Sequence, residues 1–356
     1  MSNYVEYEDK IAFHPGYYLN EIIDESRLTQ EDFAKRLDTT PKNHSILVRG
    51  EQNLSIDMAV KLSRMLGTSM EYWLNLQNRY DEIIAEFKSE KELEKEREIY
   101  RNLNYNYFQQ YFGLPYLSGK IDEQITAVRK FLKVSTLSVL SRRDMAVSFR
   151  SADEHMSESN IIKANTMVQI AVNECLTMDA PKYNKKTFMK AVEYALSLTR
   201  EHENFYPLIR QAFREAGVFF VILPNIPGSK INGATKKIGN NIMLMVNDRR
   251  LYSDTFWFTL LHEIGHIRNE DYGISFEKET GEKEKSADNY AADSLIDPDK
   301  YRLFVKHKIF DRDSIVEFAD SINRDPAIVL GRLQNDGYVK HNDWKMKNLR
   351  HRYKIG

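Results

Sequence analysis

The stretch FWFTLLHEIGHIRNEDYG, from Phe256 to Gly273, constrains this chain more than any other. It is an apolar, aromatic run that also carries three groups expensive to bury, His262, Glu263 and His266. On a helix the two histidines stand about one turn apart, roughly 6 Å of rise, so both imidazoles leave one face and can share an ion. Glu263 lies about 100° round the helix, too far aside to be a natural third ligand but beside the position such an ion leaves open. From there a carboxylate can take a proton from water and pass it to a leaving amine. Zinc suits the site, because it accepts mixed nitrogen and oxygen ligands and lowers the pKa of its water towards 7. Two hydrogen-bonded histidines on a half-buried helix are the alternative, so a third ligand has to be sought downstream.

EKEKSADNYAADSLIDP, residues 282–298, supplies one. Glu284 and Asp288 are four apart on a second helix and share a face, while Ala287, Ala291 and Ala292 let that helix approach the first closely. Glu284 can ligate the ion. Asp288, one turn on, can accept the other ring N–H of His262 and fix its tautomer. Glu282 is the rival ligand, but it lies about 200° round the helix from Glu284 and cannot share a face with Asp288.

Around this motif the 356 residues leave room for two or three domains. Fifty-one Lys+Arg against 52 Asp+Glu give a formal charge of −1, so no global field announces a nucleic-acid or membrane partner. Cys175 is the only cysteine, which excludes an intrachain disulfide and a multi-cysteine metal site. The start, MSNYVEYEDK, lacks a signal-peptide pattern, and apolar runs such as VFFVIL are too short to cross a bilayer. A cytoplasmic setting is expected.

Residues 1–80 predict five short helices. EDFAKRL follows Thr29 as N-cap, Thr40-Pro41 opens the next helix, which stops at Gly50, and SIDMAVKLSRMLG ends at Gly67. The second and third are tightly joined, the pattern of a repressor-type helix-turn-helix. The Lys- and Glu-rich stretch 81–100 predicts a solvated connecting helix, and helical periodicity continues to about 216. VFFVILP then signals a buried strand, SKINGATKKI and NNIMLMVND flank the turn Gly239-Asn240 as a hairpin, and the histidine helix is capped around Ser253-Asp254. The expected class is mainly α with a small β-sheet, divided into 1–80, a helical connector 81–200, and an α+β domain 201–356.

HEIGH followed by EKSADNYAADSLI resembles the ImmA/IrrE metallopeptidases, whose second motif runs E-x-x-A-[DN]-x-[FY]-A. INGATKKIGNNIMLMVNDRRLYSDTFWFTL and AIVLGRLQNDGYV are similar to that family too. HPGYYLNEII and SIDMAVKLSRMLGTSMEYWLNLQNRYD resemble the XRE/HigA-type antitoxin repressors, which are often fused to such a peptidase. The resemblance covers most of the chain and is weakest over 81–200. It implies zinc held by His262, His266 and Glu284, Glu263 as general base, a zincin-like C-terminal domain, and action on one or few proteins, typically repressors. A repressor whose zinc domain is structural or ligand-sensing, without cleavage, is the other reading.

The helix-turn-helix pattern places Gln30 at the start of its second helix, and Thr40, Lys42, Asn43 and Ile46 outward on the recognition helix, with Arg49 near its end. Lys42 and Asn43 can read G and A edges. Double-stranded DNA, the chain's own promoter above all, is thus one expected partner. A protein substrate or toxin is another, and a homodimer is expected. Asp38 stands where glycine is usual, and His44 replaces a residue that packs inside the motif, which predicts a partly buried structural histidine. Residues 1–80 hold nine Lys+Arg against twelve Asp+Glu, a net of −3, so DNA affinity needs dimerisation or a local basic patch. The tail from Lys340 to Lys354, six Lys+Arg against one acid, is expected to be a solvated surface helix. Tyr272, Tyr290, Arg332 and His341 are the candidate oxyanion donors, among which the sequence does not choose. The segment Asn241–Val246 is either a cleft rim that receives a substrate strand or an ordinary sheet strand.

Overall fold

The structure, a computed structural model, describes residues 3–145, 157–248, 252–276 and 281–353. The chain forms two compact units, Met1–Lys95 and Glu96–Gly356, where the sequence suggested breaks at 80 and 200. The arginine pair at 249–250 inside the run 231–260 and Lys354 of the tail lie outside the described residues.

The first unit opens with an antiparallel hairpin, β1 (Tyr4–Tyr7) and β2 (Lys10–Phe13), an element the sequence reading did not anticipate. Its strands are only four residues each, too short for alternation to stand out. Helices α1 (Pro15–Ser26), α2 (Gln30–Arg36), α3 (Pro41–Val48), α4 (Ile56–Leu66) and α5 (Met70–Tyr100) follow. Thr29, Thr40 and Ser55 cap α2, α3 and α4, accepting from the backbone N–H of Asp32, Asn43 and Met58. Asp38 turns the chain between α2 and α3 at φ +53°, the left-handed conformation its short polar side chain tolerates. Leu19, Phe33, Leu47, Ala59, Leu62 and Trp73 meet in one core. The fifth helix is not short: its 31 residues take in the stretch 81–100, the first part of the expected connector.

The second unit contains α6 (Tyr105–Phe112), α7 (Ile121–Leu132), α8 (Glu158–Cys175), α9 (Lys185–Ser197) and α10 (Phe205–Glu215). Strands β3 (Val218–Leu223), β4 (Ile231–Ile238) and β5 (Asn241–Asn247) come next, then α11 (Ser253–Arg268), β6 (Gly273–Phe276) and α12 (Glu282–Leu295). Helices α13 (Pro298–Lys306), α14 (Arg312–Ser321) and α15 (Pro326–Asn335) complete it. The sheet order is β3-β5-β4-β6, with β3 parallel to β5 and the other pairs antiparallel. Side chains alternate between its two faces. Val218, Phe220, Ile222, Leu244 and Val246 enter the core with Phe213 of α10 and Trp257 and Leu260 of α11. Asn247, on the other face, meets Met167 of α8. Gly233 and Thr235 pair with Val246 and Leu244, so they turn towards α11.

Two expectations are corrected here. No side chain of Ser253 or Asp254 caps α11, whose N-cap is Tyr252; the Ser253 hydroxyl instead meets buried Asp325 at 3.2 Å. The basic tail is not a solvated helix. Met346, Leu349 and Tyr353 are buried, and the Tyr353 hydroxyl accepts from the indole N–H of Trp257 at 2.7 Å.

Candidate metal centre and nucleic-acid interface

Helix α11 is apolar almost all round because the sheet, α12 and α15 enclose it. Its contact with α12 is close: a Cβ on Gly265 would lie 3.0 Å from the Ala287 Cα. Ala287 and Ala291 are fully buried in that seam. The small residues bring the Glu284 carboxylate to the histidine pair. His262 Nε2 and His266 Nε2 are 3.1 Å apart, and the Glu284 oxygens stand 3.2 Å and 3.4 Å from them. Among the described residues this is the group of side chains able to hold a metal, with its three ligand atoms within 4.8 Å of one another. Glu282 is exposed and turned to another face of α12, beside Lys285 and Arg268.

The outer bonds of the rings bear on what the cluster can hold. His262 Nδ1 meets Asp288 Oδ1 at 2.8 Å, and His266 Nδ1 meets Asp271 Oδ2 at 3.2 Å. Carboxylates accept from ring N–H groups, so each neutral ring keeps its proton outside and turns a bare Nε2 inward. Two lone pairs and a carboxylate then face one point, which is repulsive unless a cation lies there. Ligands about 2.1 Å from a tetrahedral zinc ion are about 3.4 Å from one another, close to the spacings seen, so the donor set fits zinc. Without an ion a proton must serve. Burial penalises the imidazolium, but the bonds to Asp288 and Glu284 and the Glu263 charge prevail and push His262 up to about 10. Glu284 moves the opposite way: burial alone would raise it, and the two imidazoles hold it well below the usual carboxylate range.

Glu263 is fully buried against β4. A Cβ on Gly233 would fall 2.7 Å from its Oε1, so only glycine at that strand position leaves the carboxylate its space. Asp271 and Gly233 were not singled out from sequence. The available signals were an acid five residues after His266 and a glycine inside a strand pattern. The four oxyanion candidates have engagements of their own. Tyr272 lies under the Lys237 ammonium and Tyr290 under the Arg268 guanidinium. Arg332 pairs with Asp336 at 2.9 Å and stacks on Tyr301, and His341 is exposed. The rim reading of Asn241–Val246 fails outright, because β5 is paired on both edges and has no free edge for another strand.

In the first unit, Gln30, Thr40, Lys42 and Asn43 are exposed at the starts of α2 and α3, and Ile46 is half-buried. The Thr40 hydroxyl is occupied as the α3 cap. Arg49 does not stand free: its guanidinium forks onto Glu51 at 2.8 and 3.0 Å. His44 is more deeply placed than expected, with no exposure, packed on Phe33 with neither ring nitrogen hydrogen-bonded.

The short joint between α2 and α3 and the outward polar residues of α3 define a helix-turn-helix module. No family model matches the chain. Its N-terminal region is 38% identical over 79 residues to the uncharacterised helix-turn-helix-type transcriptional regulator YddM of Escherichia coli strain K12, a match covering 22% of this chain and 84% of that protein. It is 34% identical over 76 residues to virulence-associated protein I of Dichelobacter nodosus, covering 21% and 70%. The antitoxin HigA of Pseudomonas aeruginosa, solved with the higBA promoter, aligns at 30% identity over 24% of this chain and 92% of its own, with a TM-score of 0.22. By that N-terminal region the chain belongs to the helix-turn-helix transcriptional regulators. Among the described residues no helix is long and apolar enough to cross a membrane.

Proposed function

We propose that this chain is a DNA-binding transcriptional regulator whose second unit is a zinc-dependent endopeptidase acting on a partner protein or on a repressor copy. The observation that carries the enzymatic half is the buried Glu263 carboxylate beside the His262, His266 and Glu284 cluster. His262, His266 and Glu284 would hold the zinc. Zinc, when bound, polarises a peptide carbonyl and lowers the pKa of water towards 7. Glu263 takes the proton of the attacking water as the new C–O bond forms, and returns it to the nitrogen as the C–N bond breaks. Asp288 keeps the His262 imidazole turned so that its Nε2 faces inward. A purely structural site has no use for an acid in the position of Glu263. The DNA half rests on the relationship to transcriptional regulators and on the exposed Lys42 and Asn43 of α3. The chain's own promoter, bound by a homodimer, is the operator this reading favours, and a toxin or repressor encoded beside it is the protein partner.

A repressor with a structural or ligand-sensing zinc domain is the second reading; what favours it is that the matched relatives correspond to the N-terminal region and are regulators. Glu263→Gln separates the two. It keeps shape and removes basicity, so zinc content should stay within error of wild type while cleavage of a co-expressed partner falls about a hundredfold or more. His262→Ala should lose metal and cleavage together. A partner that survives equally with wild type and Glu263→Gln sinks the peptidase reading.

A further inference from the structure

Helix α11 ends at Arg268, and the chain turns back at Glu270 with φ +57°. This reversal lets the Asp271 N–H donate to the His266 carbonyl at 2.9 Å. It also folds the Asp271 side chain, 12% exposed, against the fully buried His266 ring. The two carboxylate oxygens then divide: Oδ2 meets His266 Nδ1 at 3.2 Å, and Oδ1 meets the Lys283 ammonium at 2.8 Å. Lys283 lies in the first turn of α12, immediately before Glu284.

We infer that Asp271 is a positioning residue of the metal centre, as Asp288 is for His262: it fixes the tautomer of His266, while its second oxygen meets Lys283 on the α12 turn. This rests on the zinc reading above. Its two halves are unequal. The ring bond is shielded, and without it the buried His266 can turn or place its proton on Nε2, where it would block the site. Lys283 has a side-chain exposure of 69%, so its ion pair is screened and contributes little. Asp271 therefore acts mainly through His266.

The test uses the full-length protein, with zinc affinity measured by chelator competition and the visible spectrum recorded after cobalt(II) replaces zinc. Asp271→Ala should weaken zinc binding about 10–100-fold and shift the cobalt bands, as a turned imidazole would. Asp271→Asn keeps an oxygen acceptor for the His266 Nδ1–H and should recover most of the affinity. Lys283→Met should change affinity by no more than about twofold. If wild type binds zinc and Asp271→Ala matches it in affinity and spectrum, the inference is overturned while the zinc reading survives. If Asp271→Ala loses stability, Asn fails to restore affinity, and the cobalt bands do not move, the residue is merely structural and the inference is again overturned. If wild type binds no zinc, both fall.

Discussion

His44 has no exposure, and burial holds its imidazole below the usual histidine range. A histidine with a depressed folded pKa takes up protons on unfolding, so its contribution is present above about pH 6.5 and is lost as pH falls below that value. The first unit should therefore loosen in mild acid. His44→Leu, which removes two unpaired buried nitrogens, should stabilise it by about 1–2 kcal/mol and move the loss of amide protection in α3 to lower pH. Unchanged acid sensitivity of α3 by hydrogen exchange in that variant would contradict the assignment. Gly233 supplies a second residue-scale test. Gly233→Ala puts a methyl where the Glu263 carboxylate lies, and the three atoms nearest that methyl all belong to Glu263. Zinc content should hold while partner cleavage drops about tenfold or more, because displacing a reacting group by an ångström is costly. Full cleavage by the alanine variant would show that Glu263 does not need that space.

Elements differ in how far the sequence anticipates them, and the reasons are physical. Caps and left-handed ends are local chemistry, so Thr29, Thr40 and Gly67 marked their helices correctly. The β4–β5 hairpin was equally readable from Gly239-Asn240. What sequence spacing could not show is pairing at a distance. Nothing local to Asn241–Val246 reveals that β3 pairs with it in parallel on the far side, and that single fact leaves the ordinary sheet strand of the two readings. Nor does local pattern show that Asn241 and Gly217 bring β3 and β5 into register, or that Tyr353 returns to α11. Asp271 was missed because its role depends on a backbone reversal at Glu270, where a non-glycine residue gives no warning. For α3 the exposed pair is the testable element. Replacing Lys42 and Asn43 together by Ala should abolish discrimination between the chain's own promoter and random DNA in a binding assay at about 50 mM salt. No promoter preference in the wild type would remove the DNA half of the proposal.

At the scale of the whole molecule, the near-neutral balance of 51 basic and 52 acidic residues leaves no overall field to hold DNA, so specificity must come from local contacts. The basic tail places Leu349 and Tyr353 in the core. The account turns on whether His262, His266 and Glu284 constitute a zinc site, and elemental analysis of the purified full-length chain measures that directly. Close to one zinc per chain in the wild type, falling sharply in Glu284→Ala, is the predicted result. A wild type without zinc, or a Glu284→Ala variant that keeps its full complement, would contradict it.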